Sequence, residues 1–307
     1  MARPKGNPIH GWLVLDKPLG VTSTQAVAAA KRLYDARKAG HAGTLDPLAT
    51  GILPIALGEA TKTVSFAVDG EKAYRFSVRW GGETDTDDAE GKVVRTSASR
   101  PSLADVEALL PRYIGEISQV PPSFSAIKVD GERAYDLARE GQPPDLEPRI
   151  VSILDLAVTA QPDPDTMVFE AECGRGTYVR ALARDIGREL GCFGHVVGLR
   201  RTRVGTFTED QAITLDELKD RAGLPDGPDS LKSMLLPVDA PLEGLRMLNF
   251  SAADAARLRR GQAVLLRGRD APVMTGLAYA MSQGQLVAVG ELEKGSLRPT
   301  RVFNFGV

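Results

Sequence analysis

One carboxylate, Asp46, stands in the run Gly40-His-Ala-Gly-Thr-Leu-Asp-Pro-Leu-Ala-Thr-Gly51. Gly40, Gly43 and Gly51 allow sharp turns or close approach to a ligand, and Pro47 keeps Asp46 out of helical geometry, fixing the direction in which its side chain leaves the loop. A carboxylate held this way suits nucleophilic or acid/base chemistry, because loops on a rigid frame are where catalytic groups concentrate. Asp-Pro alone equally describes a turn cap. A second chemical candidate is Cys173-Gly-Arg-Gly-Thr-Tyr-Val-Arg180, where a strand meets a helix that Thr177 could cap. Arg180, Arg184 and Arg188 recur every four residues on one face. Arg184 and Arg188 stand beside Asp185 and Glu189 and read as solvated. Arg180 lies in the first turn, where a cation opposes the helix dipole and calls for a carboxylate partner.

Other motifs fall short. Gly174-Arg-Gly176 begins a dinucleotide fingerprint, but Val179 occupies the third glycine position, and Thr86 stands where a P-loop ahead of Gly91-Lys92 needs its first glycine. The acidic run Glu83, Asp85, Asp87, Asp88, Glu90 lacks the calcium-loop pattern and reads as a solvated hairpin or a local charge partner. His10, His41 and His195 are scattered, and neither Cys173 nor Cys192 sits at metal-ligand spacing. No cofactor and no metal are therefore expected.

These groups need a frame. Gly11 to Leu15 reads as a strand, Thr22 or Ser23 caps a helix carrying Val27, Ala30 and Tyr34, and Ile52 to Leu57 is a buried strand. Lys72 to Trp80 alternates, with Tyr74, Phe76, Val78 and Trp80 on one face and Arg75, Ser77 and Arg79 on the other. Ser102 and Asp105 make a capping box before an amphipathic helix through Tyr113. Residues 119–148, rich in proline and basic residues (Lys128, Arg133, Arg139, Pro143), read as an inserted arm. A proline-, glycine- and acid-rich linker between Gly223 and Gly244 separates a body, 1–245, from a β-rich module, 246–307. From 245 to 307 nine Lys or Arg, Arg267 and Arg269 among them, face four acids including Asp270, although the whole chain of 307 residues carries -2. No signal peptide and no membrane span is visible, so the expectation is a cytoplasmic protein, and with no recognisable oligomerisation signal a monomer.

Five ordered segments together resemble the bacterial tRNA pseudouridine synthase B family: the Gly40–Gly51 run, Lys72-Ala-Tyr74, Thr84-Asp-Thr-Asp, Val120-Pro-Pro-Ser-Phe-Ser-Ala-Ile-Lys128, and Cys173–Arg180 with Gly198-Leu-Arg-Arg. The likeness spans about residues 9 to 210. It implies a pseudouridine synthase fold of α+β class: a mixed, mostly antiparallel sheet flanked by helices, with the inserted arm and a small PUA-like RNA-binding module. It implies an isomerase of uridine in the tRNA T loop, at the position numbered 55 in tRNA, with no cofactor. Asp46 matches the essential aspartate, Arg180 the arginine paired with it, and Tyr74 the active-site tyrosine, placed to stack on uracil and to serve proton transfer. Tyr178 and Leu199 match substrate-contacting positions, and His41 matches a histidine that fills the stack vacated by base flipping. The partner is the tRNA T-arm, bound through the arm, the tail and a patch at Arg200, Arg201 and Arg203. Two other classes fit parts of the sequence: a non-catalytic tRNA chaperone, and an Asp-dependent N-glycosidic hydrolase, which would want a second carboxylate.

Overall fold

The computed structural model describes residues 6–306 apart from 126, 130, 143 and 267–274; Pro143, Arg267, Arg269, Asp270 and the side chain of Arg133 lie outside the described residues. In chain order, β1 (Gly11–Lys17), helix α1 (Ser23–Leu33), β2 (Ala39–His41), β3 (Ala49–Leu57), helix α2 (Val64–Asp69) and β4 (Lys72–Trp80) come first. A hairpin of β5 (Gly82–Thr84) and β6 (Val93–Thr96), helix α3 (Leu103–Leu109) and β7 (Gly115–Gln119) follow. The expected arm holds the short strands β8 (Lys128–Val129) and β9 (Glu132–Arg133) and helix α4 (Ala134–Arg139). Next come β10 (Arg149–Asp163), β11 (Thr166–Cys173), helix α5 (Val179–Glu189), β12 (Gly194–Val204), β13 (Phe207–Thr208), β14 (Ile213–Thr214), and helices α6 (Leu215–Ala222) and α7 (Gly227–Lys232). The last elements are β15 (Arg246–Asn249), helix α8 (Ala252–Arg259), β16 (Val264–Leu265), β17 (Gly276–Ser282), β18 (Gln285–Glu293) and β19 (Ser296–Val302).

The main sheet runs β14-β1-β3-β12-β4-β11-β10-β7, with β2 paired to β3 and β13 to β12. Its pairings are antiparallel except β1 with β14 and β12 with β3. This is the α+β arrangement expected from the sequence. β3 has no polar face because it is central and covered on both sides. β4 alternates because only one face meets the core: Phe76, Val78 and Trp80 pack with Val179, Leu182, Ala183 and Ile186 of α5. The Phe76 and Phe169 rings stack with centroids 5.2 Å apart. At the start of α1, the Thr22 hydroxyl accepts from the Gln25 amide, and Gln25 reciprocates, a capping box.

The second sheet, β15-β17-β18-β19-β16, belongs to the C-terminal part. Its Tyr279, Leu286, Val289 and Phe303 share a core with Trp12, Val14 and Phe207 of the main sheet. The expected linker is itself packed. Leu231, Val238 and Leu242 are buried, and the backbones of Trp12 and Leu236 exchange hydrogen bonds of 2.9 and 2.8 Å. Apolar residues spaced among its prolines and acids account for the difference.

Candidate active site around Asp46

The loop between β2 and β3 is tied to the start of α1. Ser23 donates its hydroxyl to the Leu45 carbonyl at 3.0 Å and accepts from the Leu45 N–H at 2.9 Å. The Gly20 N–H reaches the Pro47 carbonyl at 2.8 Å. Asp46 is thus flanked by two anchored residues, and its side chain keeps 38% exposure. Gly51, where β3 begins to pair with β1, has φ +97 and approaches β12 so closely that a Cβ would lie 2.2 Å from the Arg201 carbonyl oxygen.

Arg180 reaches Asp46. Its Nη2 lies 2.9 Å from Asp46 Oδ2, with the arginine only 5% exposed, and its Nη1 lies 3.5 Å from buried Asp88. The guanidinium also donates to the carbonyls of Thr86 at 2.8 Å and Phe124 at 2.9 Å, so the acidic hairpin loop and the root of the arm converge on the same group. The cap expected from Thr177 is not formed, because that hydroxyl donates to the Gly174 carbonyl. Instead the side chain of Gln119, at the end of β7, accepts from the Tyr178 N–H at 2.9 Å and donates to its carbonyl at 3.2 Å.

Arg184 and Arg188 are not a solvated face. Arg184 is buried against Asp87 at 3.0 Å and also donates to Asp185 and to the Val120 carbonyl. Arg188 grips Glu83 with two bonds of 2.7 and 2.9 Å. Three successive turns of α5 therefore meet Asp88, Asp87 and Glu83, and the acidic run is a charge partner of the helix rather than a solvated hairpin.

Asp46 lies between two cavities. The smaller, about 290 Å³, is lined by Asp46, Lys72, Tyr74, Tyr178, Leu199 and Arg201 among others. The larger, about 580 Å³, shares Asp46 and Arg180 and adds His41, Tyr135 and Arg139. The structure thus brings Tyr74, Tyr178 and Leu199 together on one side of Asp46 and sets His41 on the other. Burial pushes the Tyr74 and Tyr178 phenols above their ordinary range, so both are protonated at neutral pH. Burial and the Arg201 charge lower His41, which favours a neutral imidazole. Among the described residues no three His, Cys, Asp or Glu side chains are grouped to hold a metal ion.

The basic patch expected at Arg200, Arg201 and Arg203 is not a free one. Arg200 pairs with Asp16 at 2.9 Å, Arg203 with Glu172 at 3.0 Å, and Arg201 is 1% exposed. Arg201 donates to the carbonyls of Ile52 (2.8 Å), Gly43 (3.1 Å) and Thr44 (3.3 Å), clamping the Asp46 loop from beneath. Arg201 is two residues from Leu199 on β12, so both face one side. Lys17 and Lys72 are likewise enclosed, with their ammonium groups on backbone carbonyls.

Comparison with known proteins follows the same lines. Residues 31–179 match the TruB family pseudouridylate synthase N-terminal domain, and 180–243 the tRNA pseudouridylate synthase B C-terminal domain. The tRNA pseudouridine synthase B of Bradyrhizobium diazoefficiens is 59% identical over 96% of this chain and 86% of its own length. That of Rhizobium johnstonii is 54% identical over 98% of each. Among solved structures, a chain of a Cbf5-Nop10-Gar1 complex superposes with a TM-score of 0.73 at 26% identity, covering 97% of this chain and 86% of its own. A chain of an H/ACA RNP bound to a substrate RNA containing 2'-deoxyuridine has the same fold, with a TM-score of 0.74 at 24% identity over 99% and 91%.

Proposed function

Since this chain belongs to the TruB family of pseudouridylate synthases, an isomerase family, we propose that its two cavities receive a uridine flipped out of the T loop of tRNA, at the position numbered 55 there, and convert it to pseudouridine. The observation that carries this reading is the 2.9 Å pair of Asp46 and Arg180 on the wall of the cavity that also holds Tyr74 and Leu199. Asp46, held by Arg180 and by the anchored loop, is the nucleophile on the flipped nucleotide. The N1 bond to ribose breaks, the uracil turns between the Tyr74 ring and the Leu199 side chain, and ribose rejoins at C5. Tyr74 is placed for the proton transfer at C5 and Tyr178 fixes the base through its hydroxyl. His41, neutral on the far side of Asp46, fills the gap left in the RNA stack. In this reading residues 1–245 do the chemistry as a cytoplasmic monomer, and 246–307 form a PUA-like module that holds RNA.

The test uses an unmodified T-arm hairpin carrying tritium at C5 of the target uracil. The wild type releases tritium and Asp46→Asn releases none above background. Free uracil in place of pseudouridine would make the protein a hydrolase, and tight binding with neither product would make it a chaperone. A hairpin with cytidine at the target position is expected to bind and to remain unchanged.

A further inference from the structure

Two enclosed cations line the smaller cavity with no carboxylate in ion-pairing range of either. Arg201 is 1% and Lys72 6% exposed, and among the described residues neither has a carboxylate oxygen within 4.0 Å. Both donate to main-chain carbonyls: Arg201 to Gly43, Thr44 and Ile52, Lys72 to Val68 and Gly70. Carbonyl dipoles answer the hydrogen-bonding need of a cation while leaving its net charge in place. The β4–β12 register sets Arg201 opposite Tyr74, and Lys72 lies two residues along β4 on the same face. The charges are therefore concentrated around the ring proposed to stack on the base. Burying an uncompensated cation is costly, and two beside one cavity also repel each other. Arg180 and Arg184 are just as enclosed, yet each meets a carboxylate.

The isomerisation proposed above supplies a reason, and the inference rests on it. If Asp46 attacks ribose C1', the N1–C1' bond breaks and its electron pair stays on the uracil. If it attacks C6, the new O–C6 bond displaces the C5=C6 pair through C4 onto O4. On both routes the negative charge leaves the carboxylate and settles on the base. It returns to Asp46 when C5 takes the ribose, C5 loses its proton and N1 gains one. We propose that Arg201 and Lys72 form a cationic wall that stabilises the uracil while it carries this transient negative charge. Fixed charges in a water-poor site need no reorganisation at the moment of reaction, and this makes them effective there. Arg201 has a second task, since the same guanidinium positions the loop that bears Asp46.

The test compares Arg201→Met, Lys72→Met and Arg201→Lys in single turnovers, with saturating T-arm hairpins carrying either uridine or 5-fluorouridine at the target. Consumption of the target nucleoside is followed after digestion, alongside hairpin affinity. Fluorine stabilises a uracil anion by induction, so a fluorinated base depends less on the wall. Each Met variant is expected to slow uridine about 10²-fold with little change in affinity, and 5-fluorouridine about tenfold less severely. Arg201→Lys, which keeps the charge, is expected to retain more of the rate than Arg201→Met. Met variants within about threefold of wild type on uridine overturn the proposal. So does equal slowing of the two bases, the signature of a merely displaced loop. If Arg201→Met does not fold, Lys72→Met, which leaves the loop clamp intact, decides on both criteria. A wild type that converts no uridine overturns the functional reading as well, whereas an active wild type with equal slowing overturns this inference alone.

Discussion

Lys17 and Lys72 are both lowered to about 8 by burial; Asp46 opposes the shift at Lys17, and Arg201 reinforces it at both. Glu90 also faces Lys17, while Cys173, Asp69 and Arg175 face Lys72. Both lysines thus lose their charge as pH rises through about 8, against 10.5 in an unfolded chain. Two consequences of opposite sign follow. The single-turnover rate is expected to fall above that pH as the charge beside the cavity goes. Between about 8 and 10.5 the unfolded chain binds more protons at these positions than the folded one, so their contribution to stability rises with pH. Urea titrations at about pH 7.5 and about pH 10, near the ends of that window, are expected to show wild type gaining on Lys72→Met at the higher pH. At this scale Asp46 and Arg180 are legible in the sequence, one as a carboxylate between glycines and a proline, the other as a cation opposed by a helix dipole. Tyr178 and Leu199 are not legible without the family likeness, because nothing in an apolar run marks the residue that borders a cavity. Arg201 escapes a reading of its segment because three arginines in four positions look like a surface patch, and strand pairing, which buries the middle one, is not written in a single segment.

The element that organises the site is α5, whose first three turns carry Arg180, Arg184 and Arg188 against Asp88, Asp87 and Glu83. Arg184 and Asp87 are 7% and 8% exposed, so removing one charge strands the other in the interior. Arg184→Met is expected to cost about 3–5 kcal/mol in urea unfolding. Arg184→Met combined with Asp87→Asn is expected to recover a large part of that loss, since the buried carboxylate is gone and Asp185, which also loses its partner, is 29% exposed. Because Arg180 is one turn away, the single variant should also lower the turnover rate more than it lowers RNA affinity. The helix itself is readable from its apolar stripe, and β4 from its alternation. The ladder is not, because Arg184 and Asp87 are 97 positions apart in sequence and meet only once the hairpin folds onto the helix. The cap from Gln119 is hidden in the same way.

For the whole molecule, the near-neutral net charge of -2 leaves RNA binding to local groups. Arg259, Arg260 and Arg298 are exposed cations of the C-terminal part. Affinity for a T-arm hairpin is expected to fall steeply with salt, and replacing these three by Gln to reduce the slope by about 0.7–0.9 for each phosphate left without its arginine. Turnover at saturating RNA is expected to hold. The proline-, glycine- and acid-rich stretch is legible as a change in composition, but the packing of the two sheets on each other is not. Trp12, Phe207, Tyr279 and Phe303 belong to segments that look self-sufficient when read alone. The strand order carries one more consequence, for biosynthesis. β12 lies between β3 and β4, yet it is made long after both. At roughly 5–20 residues per second, a ribosome leaves the facing edges of β3 and β4 unpaired for several seconds or more before Gly194–Val204 emerges. A nascent chain halted before β12 would have two open, largely apolar strand edges, a recipe for association with its neighbours or for capture by a chaperone. Chains released at residue 190 should therefore be more aggregation-prone than those released after β14, in which the edges of β3 and β4 are paired. Asp46 is made early, and it waits for the strand that completes its surroundings.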